Sequence, residues 1–260
     1  QIEMVITDGD LSETYQFMTD GVGKFSQTVD MSVFKEGEIS ISFTGINKAG
    51  NRNELTTMSL IKDTIIENIN LEKVADYINR SNQNEFVLSG LSTEEGATIT
   101  VIASDGTKEL TATAHVQDGK FNLPVDLSTL DDGPVTIEFS QKDLYRNERV
   151  LGTITVQKDT IVENPVISKN GFYYQGNQLI FGLNGSAEAG ADVTVTFYDQ
   201  HDNVIVTQST KANQNGFYAM VFPLNQDDYT QIARTEVTQR DVAGNTSEVV
   251  AIGMDTHTIT

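Results

Sequence analysis

With 37 acidic and 17 basic side chains among 260 residues, the chain carries a formal charge of −20, which repels nucleic acid and anionic membrane surfaces and favours cations as partners. The lack of cysteine removes disulfides, thiolate metal ligands and thiol nucleophiles together, and fits either a cytosolic protein or an exported one that dispenses with disulfides. A hydrophobic content of 38% is too high for a disordered polymer, and its interruptions leave no stretch that reads as a membrane span or a signal peptide.

Taken in chain order, the first recognisable element is DGVGKFSQTVDMS, around Phe25 and Asp30. The polar turn in FTGINKAGNRNE follows from Asn47, and then KDTIIENINL from Lys62 to Leu71. The stretch NLEKVADYINRSN (70–82) is the one segment with helical character, and is expected to form at most a turn before the strand EFVLSG. ATITVIAS (97–104) alternates apolar and polar residues, and VQDGKFNLPVDLS repeats the Phe25 segment at an offset of 96. After PVTIEFS comes a second polar turn at Asp143, then VLGTITV, and then KDTIVENPVI at Lys158 to Ile167. A third round runs through GSAEAGADVTV, ADVTVTFYD, NQNGFYAMVFPLN around Phe217 and the turn at Asp241, ending on MDTHTIT. Asp63, Asp159 and Asp255 fall 96 residues apart, and each polar turn has an Asn four positions on, at Asn51, Asn147 and Asn245. The chain is a tandem array.

Val-, Ile-, Thr- and Phe-rich runs of period two, separated by Gly, Asp and Asn clusters, are strand and turn chemistry. Seven or so short strands per repeat predict an all-β fold of tandem immunoglobulin-like antiparallel β-sandwiches. Complete repeats are expected at 65–160 and 161–260. Residues 1–64 read as the C-terminal part of a repeat. Aligning Gln1 with Ala97 leaves that copy without a counterpart of 65–96, as though it had been cut from a longer array.

GSAEAGADVTV (185–195), followed by DVAGNTSE and MDT, resembles the bacterial immunoglobulin-like repeats of giant, type I-secreted nonfimbrial adhesins of the biofilm-associated and SiiE types. The resemblance covers both complete repeats and the partial one. It implies an extended linear rod on the bacterial surface, calcium bound by the repeats, and no catalysis. The implied partners are calcium ions and adjacent repeats of a monomeric chain, with an unidentified host-cell or biofilm ligand. The second copy departs from the pattern at Tyr145 and Arg146, which replace Ala-Gly, and the first at Asn47, which replaces Asp.

In such a sandwich the loops after the second and sixth strands meet the strand arriving from the preceding module. Each junction should therefore gather three carboxylates: Asp63, Glu94 and Asp143 at the first, Asp159, Glu188 and Asp241 at the second. A trio from separate loops suits Ca2+, which takes 6 to 8 oxygen ligands, with carbonyls or Asn147 and Asn245 completing the shell. Zinc is disfavoured, since His115, His201 and His257 are scattered. Each element also has a plainer reading: the D-x-A-G-N turn as a good hairpin, the Glu before Gly as a solvated loop acid, the linker Asp as a turn cap. Asn47 predicts a weaker site on the first copy. Asp126, Asp131 and Asp132, with Asp8, Asp10, Asp105, Asp199 and Asp202, read first as solvated turns.

No G-x-S-x-G elbow, P-loop, H-E-x-x-H or complete dinucleotide fingerprint is present, so the chain is not expected to be an enzyme. The rival reading is a carbohydrate-binding or accessory β-sandwich of an extracellular enzyme. Such sites want exposed aromatic platforms; Trp is absent, and the tight aromatic cluster GFYY (171–174) reads first as core or edge packing.

Overall fold

A computed structural model describes residues 1–252, apart from the side chain of Gln226. Asp255 and His257 lie outside the described residues. The N-terminal part is one four-stranded sheet of β1 (Ile2–Thr7), β2 (Ser12–Phe17), β3 (Gly37–Ile46) and β4 (Arg52–Lys62), in the order β2-β1-β3-β4. The middle part contains β5 (Asn70–Leu71), β6 (Tyr77–Ile78), β7 (Phe86–Leu91), β8 (Thr98–Ser104), β9 (Glu109–His115), β10 (Lys120–Val125), β11 (Gly133–Lys142) and β12 (Glu148–Lys158). Its two sheets run β10-β7-β5 and β6-β12-β11-β8-β9. The last part has β13 (Val166–Gln175), β14 (Gln178–Ser186), β15 (Asp192–Tyr198), β16 (Val204–Lys211), β17 (Phe217–Leu224), the short helix α1 (Gln226–Gln231), β18 (Arg234–Arg240) and β19 (Val250–Ile252). Its sheets run β13-β14-β17 and β16-β15-β18-β19.

A three-stranded sheet facing a four- or five-stranded one, with strands exchanged between them, is the immunoglobulin-like arrangement. The alternation read in the sequence sets the faces: Ile99, Val101 and Ala103 of β8 are buried, and the threonines and Ile102 between them are half-exposed. The middle core joins them to Phe86, Leu88, Phe121, Ile137 and Phe139. The third core is aromatic, with Phe197 edge-on to Phe181 and Phe222 at centroid distances of 5.2 and 4.9 Å. Residues 70–82 form no helix; β6 instead pairs parallel to β12, and Asn79 turns the chain into β7.

The N-terminal sheet has no facing sheet among the described residues. In the middle sandwich β10 is a strand because β7 pairs with it; the matching stretch from Lys24 to Val29 has no such neighbour and forms no strand. It still lays Phe25 between Phe17 and Phe43, at 5.0 and 5.7 Å. Register also corrects the alignment of Gln1 with Ala97. Ile6 lies opposite Ile41 as Ala103 lies opposite Ile137, so β1 maps onto β8 at an offset of 97, while 96 holds from Phe25 onward. The extra residue keeps Ile2, Met4 and Ile6 facing inward, where a one-residue slip would have turned them out.

Candidate functional site

Three separate segments build the first junction. β4 ends at Lys62 and delivers Asp63. The loop after β7 delivers Glu94, whose amide is held by Ser92 Oγ at 3.1 Å. The turn after β11 delivers Asp143, which is 7% exposed. That turn is closed by Asp143 itself: its Oδ1 accepts from Asn147 N–H at 2.9 Å, its amide donates to Asn147 O at 3.1 Å, and Arg146 takes a positive φ of 75°. Asp63, Glu94 and Asp143 each present a carboxylate oxygen within 4.8 Å of the other two. None of the ion pairs among the described residues involves them. Asn147 Nδ2 donates to Asp143 Oδ2 at 2.6 Å and to Asp63 O at 3.0 Å, and Glu67 N–H donates to Glu94 Oε1 at 3.1 Å.

The second junction repeats these bonds. Asn245 donates through N–H to Asp241 Oδ1 (2.8 Å), and through Nδ2 to Asp241 Oδ2 (2.7 Å) and Asp159 O (2.9 Å). Glu163 N–H donates to Glu188 Oε1 at 2.6 Å, and Ile161 N–H to Asp159 Oδ1 at 3.3 Å, as Ile65 does to Asp63. Burial raises the pKa of Asp159, with Asp241 and Asp132 adding repulsion. Burial likewise raises that of Glu188, with Asp241, Asp159 and Glu163 behind it. The oxygens of Asp159, Glu188 and Asp241 are nonetheless not drawn together to the 4.8 Å spacing of the first trio.

The two junctions differ in what else laces them. At the second, Gln239 Oε1 accepts from Glu188 N–H at 2.8 Å and its Nε2 donates to Glu163 O. Gln141 holds the same place at the first and is fully buried, yet among the described residues its Nε2 has no partner. The second junction also has direct contacts from the turn after β6: Asn79 Nδ2 to Ala243 O at 2.7 Å, Arg80 N–H to Asn245 Oδ1 at 2.8 Å, and Arg80 Nε to Thr160 O at 3.1 Å. Asn245 Oδ1 is therefore engaged by protein. Through its Nδ2 the asparagine also aims the aspartate and ties down the linker.

The flanks of the recurring Asp, absent from the sequence reading, are gripped as firmly. Lys158 is 2% exposed and donates from Nζ to the carbonyls of Leu127 (3.0 Å), Ser128 (3.2 Å) and Leu130. Lys62 donates to Phe34 O at 2.6 Å and pairs with Glu36 at 3.1 Å. Thr160 gives its N–H and Oγ1 to Asp132, both at 3.0 Å, as Thr64 does to Glu36 at 2.7 and 2.8 Å. The signal was available: Lys62, Thr64, Glu67 and Glu36 all recur as Lys158, Thr160, Glu163 and Asp132, 96 residues later.

The other acids are occupied within their turns. Asp105 accepts from the amides of Asp131, Lys108 and Thr107, which hold its carboxyl far below the usual range. Asp126 accepts from Ser128 N–H at 3.0 Å, and Asp131 pairs with Lys108. Asp8 and Asp199 hold the amides of their own turns, while Asp10 pairs with Lys35 and Asp202 with Arg234. His115 lies on β9 beside Thr98, and His201 in the turn after β15; neither joins the acidic trios.

Fold and site together define a tandem immunoglobulin-like β-sandwich protein whose linkers are gripped by acidic turns. No protein-family model and no curated protein matches the sequence. Among solved structures the chain is similar to a tetra-tandem repeat in the extending region of a large adhesion protein, at 19% identity and TM-score 0.35, covering 98% of this chain and 66% of that one. It is also similar to a Ca2+-stabilized adhesin with which an Antarctic bacterium binds ice (19%, TM-score 0.40, 96% and 63% covered). A third is from a 1.5-MDa bacterial ice-binding adhesin (18%, TM-score 0.39, 96% and 83% covered). The chain thus spans 66% and 63% of the length of the first two.

Proposed function

We propose that the chain is a calcium-stiffened spacer from a large bacterial surface adhesin, in which 65–160 and 161–260 are complete repeats, 1–64 is the C-terminal part of another, and adjacent repeats are clamped into a rod. The observation that carries this reading is the convergence of Asp63, Glu94 and Asp143, with oxygens within 4.8 Å and, among the described residues, no cation paired with them. Three carboxylates at that spacing repel one another, and a hard divalent cation relieves the repulsion. All donors are oxygens, which suits Ca2+ and not zinc. Asp63 comes from the linker, while Glu94 and Asp143 come from the following sandwich, so one ion ties the linker to the sandwich it feeds. Asp159, Glu188 and Asp241 would serve the second junction alike, drawn together when the ion binds. Such a chain works outside the cell, where calcium is millimolar, and needs no catalytic residue.

Calorimetry with calcium, paired with small-angle scattering with and without chelator, tests the clamp. The expected result is a calcium-binding isotherm, together with a maximum dimension that falls or broadens on chelation. Asp159→Ser or Asp241→Ser should weaken binding and loosen the second junction. Scattering unchanged by calcium removal would refute the clamp even if an ion bound elsewhere.

A further inference from the structure

We infer that the outer face of the β13-β14-β17 sheet is a binding groove for a neutral oligosaccharide, with the ring of Tyr173 as its platform. Along β13, Phe172 points inward against Phe181 and Tyr229, so Tyr173 is turned to the outer face. Next to it, Gly171 and Gly182 sit directly opposite each other across the strand pair, and the floor there has no side chains. The Tyr173 ring lies over Gly182, its Cε1 3.0 Å from where a Cβ would stand. The result is a groove of about 640 Å³, within the usual range for small-ligand sites.

The groove's chemistry is amphipathic. Lys169 and Asn184 line it on the Tyr173 face, and neither makes a side-chain hydrogen bond or ion pair within the described protein. They leave one ammonium and one amide free beside an aromatic face. A pyranose ring has complementary parts: an apolar C–H face for the tyrosine and hydroxyls for the amide and the ammonium. No acid lines the groove, but the net charge of −20 on the whole chain disfavours the approach of polyanions, which selects a neutral sugar. The groove is not part of the repeated scaffold either. The same face of the middle sandwich presents Val87, Ser89 and Leu91 on β7 and Asn122 and Pro124 on β10, with no aromatic ring.

The test is titration of the full chain, in chelator, with cellotetraose, chitotetraose and β-1,4-galactotetraose, with a heparin tetrasaccharide as the polyanionic control, followed by calorimetry and by amide chemical shifts. The inference expects at least one neutral tetrasaccharide to bind and shift the amides of β13 and β14, and Tyr173→Ala to weaken it roughly tenfold. Gly171→Val is the second variant: a Cβ at Gly171 meets nothing within 4 Å, so the variant keeps its fold while filling the floor, and binding should be lost at an unchanged melting temperature. Absence of binding by all three neutral sugars at 10 mM (roughly the weakest affinity worth calling recognition), wild-type binding by Gly171→Val, or preference for the heparin fragment would each overturn it.

Discussion

Asn147 Nδ2 reaches the main-chain oxygen of Asp63, 84 residues earlier in the chain, at 3.0 Å, while the same amide group holds Asp143 Oδ2 at 2.6 Å. One side chain thus fixes both the linker and the aspartate beside it. Asn147→Ala should leave the three carboxylates in place but unoriented, and weaken calcium binding by roughly tenfold to a hundredfold, the usual cost of losing a partner that orients a ligand. Calorimetry on this variant decides it; calcium affinity equal to the wild type would mean that the asparagine merely closes its turn.

Calcium should also raise thermal stability by mass action on the folded state. An ion at a hundred times its dissociation constant adds about 2.7 kcal/mol. A melting curve in millimolar calcium should therefore move upward against one in chelator, and Asp143→Ser should remove most of the shift at the first junction. Superimposed curves for the wild type would count against functional binding.

The raised pKa values of Asp159 and Glu188 give a pH prediction for the calcium-free chain. A carboxyl whose folded pKa exceeds its unfolded value binds a proton more readily when folded, so its contribution is fully present below the unfolded pKa, near 4, and is lost as pH rises through the folded value. In chelator, these two groups should make the second junction more stable at mildly acidic pH than at neutral pH. In calcium the trend should reverse, because the ion competes with the same protons. Melting curves on Asp159→Asn and Glu188→Gln together should lose the acid-side gain; retention of the full gain would place its origin elsewhere.

Much of this was legible in the sequence because repetition makes register visible. The 96-residue spacing of Asp63 and Asp159 marked the junctions, and the period of two in ATITVIAS and ADVTVTFYD gave the strands and their inward faces. The acids of the first trio come together because the linker after β4, the β7–β8 crossover between the two sheets and the β11–β12 hairpin meet at one pole of the sandwich. Side-chain bonding was less legible. Whether an Asn amide presents its oxygen or its nitrogen to an aspartate depends on what lies on its other side, and for Asn245 that is the backbone of Arg80, 165 positions away. The single-residue offset of β1 was hidden because an insertion in a turn leaves no mark on composition.

The buried Lys158 offers a test of why the recurring motif begins with lysine. Its ammonium caps three carbonyls of the loop Leu127–Leu130. In the third sandwich the matching connection is α1, where the carbonyl of Asp227 accepts from Thr230 Oγ1 at 2.9 Å and from Gln231 Nε2 at 3.0 Å, so side chains of the same loop take the place of the lysine, and the residue 96 positions after Lys158 in the sequence is Met254. Lys158→Met should therefore be costly in the middle sandwich: about 2 kcal/mol for charged hydrogen bonds lost to buried carbonyls, or roughly 10 °C in the melting of that unit. A variant as stable as the wild type would show that water replaces the ammonium at no cost.

Gly185 closes the loop between the junction chemistry and the fold. It pairs with Ile167 of β13 beside the register shift in that strand, and a Cβ there would collide with the carbonyl oxygen of Val166 and come within 2.9 Å of Tyr218 Oη. That hydroxyl in turn donates to Val166 O at 3.3 Å. Gly90 is constrained in the same way, since its Cβ would fall 2.6 Å from Asn70 O, so in both sandwiches a glycine lets the first strand pair closely with the strand that leads to Glu94 or Glu188. Gly185→Ala should force β13 away, break the Tyr218 bond and cost about 1–3 kcal/mol, as overpacking generally does. Gly171→Ala, on the same sheet with open space above it, is the control and should be nearly neutral. Denaturant melts of the pair decide the matter: equal stability of the two variants would mean that the β13–β14 pairing yields freely at this point, and that the close approach is not what makes glycine necessary at Gly185.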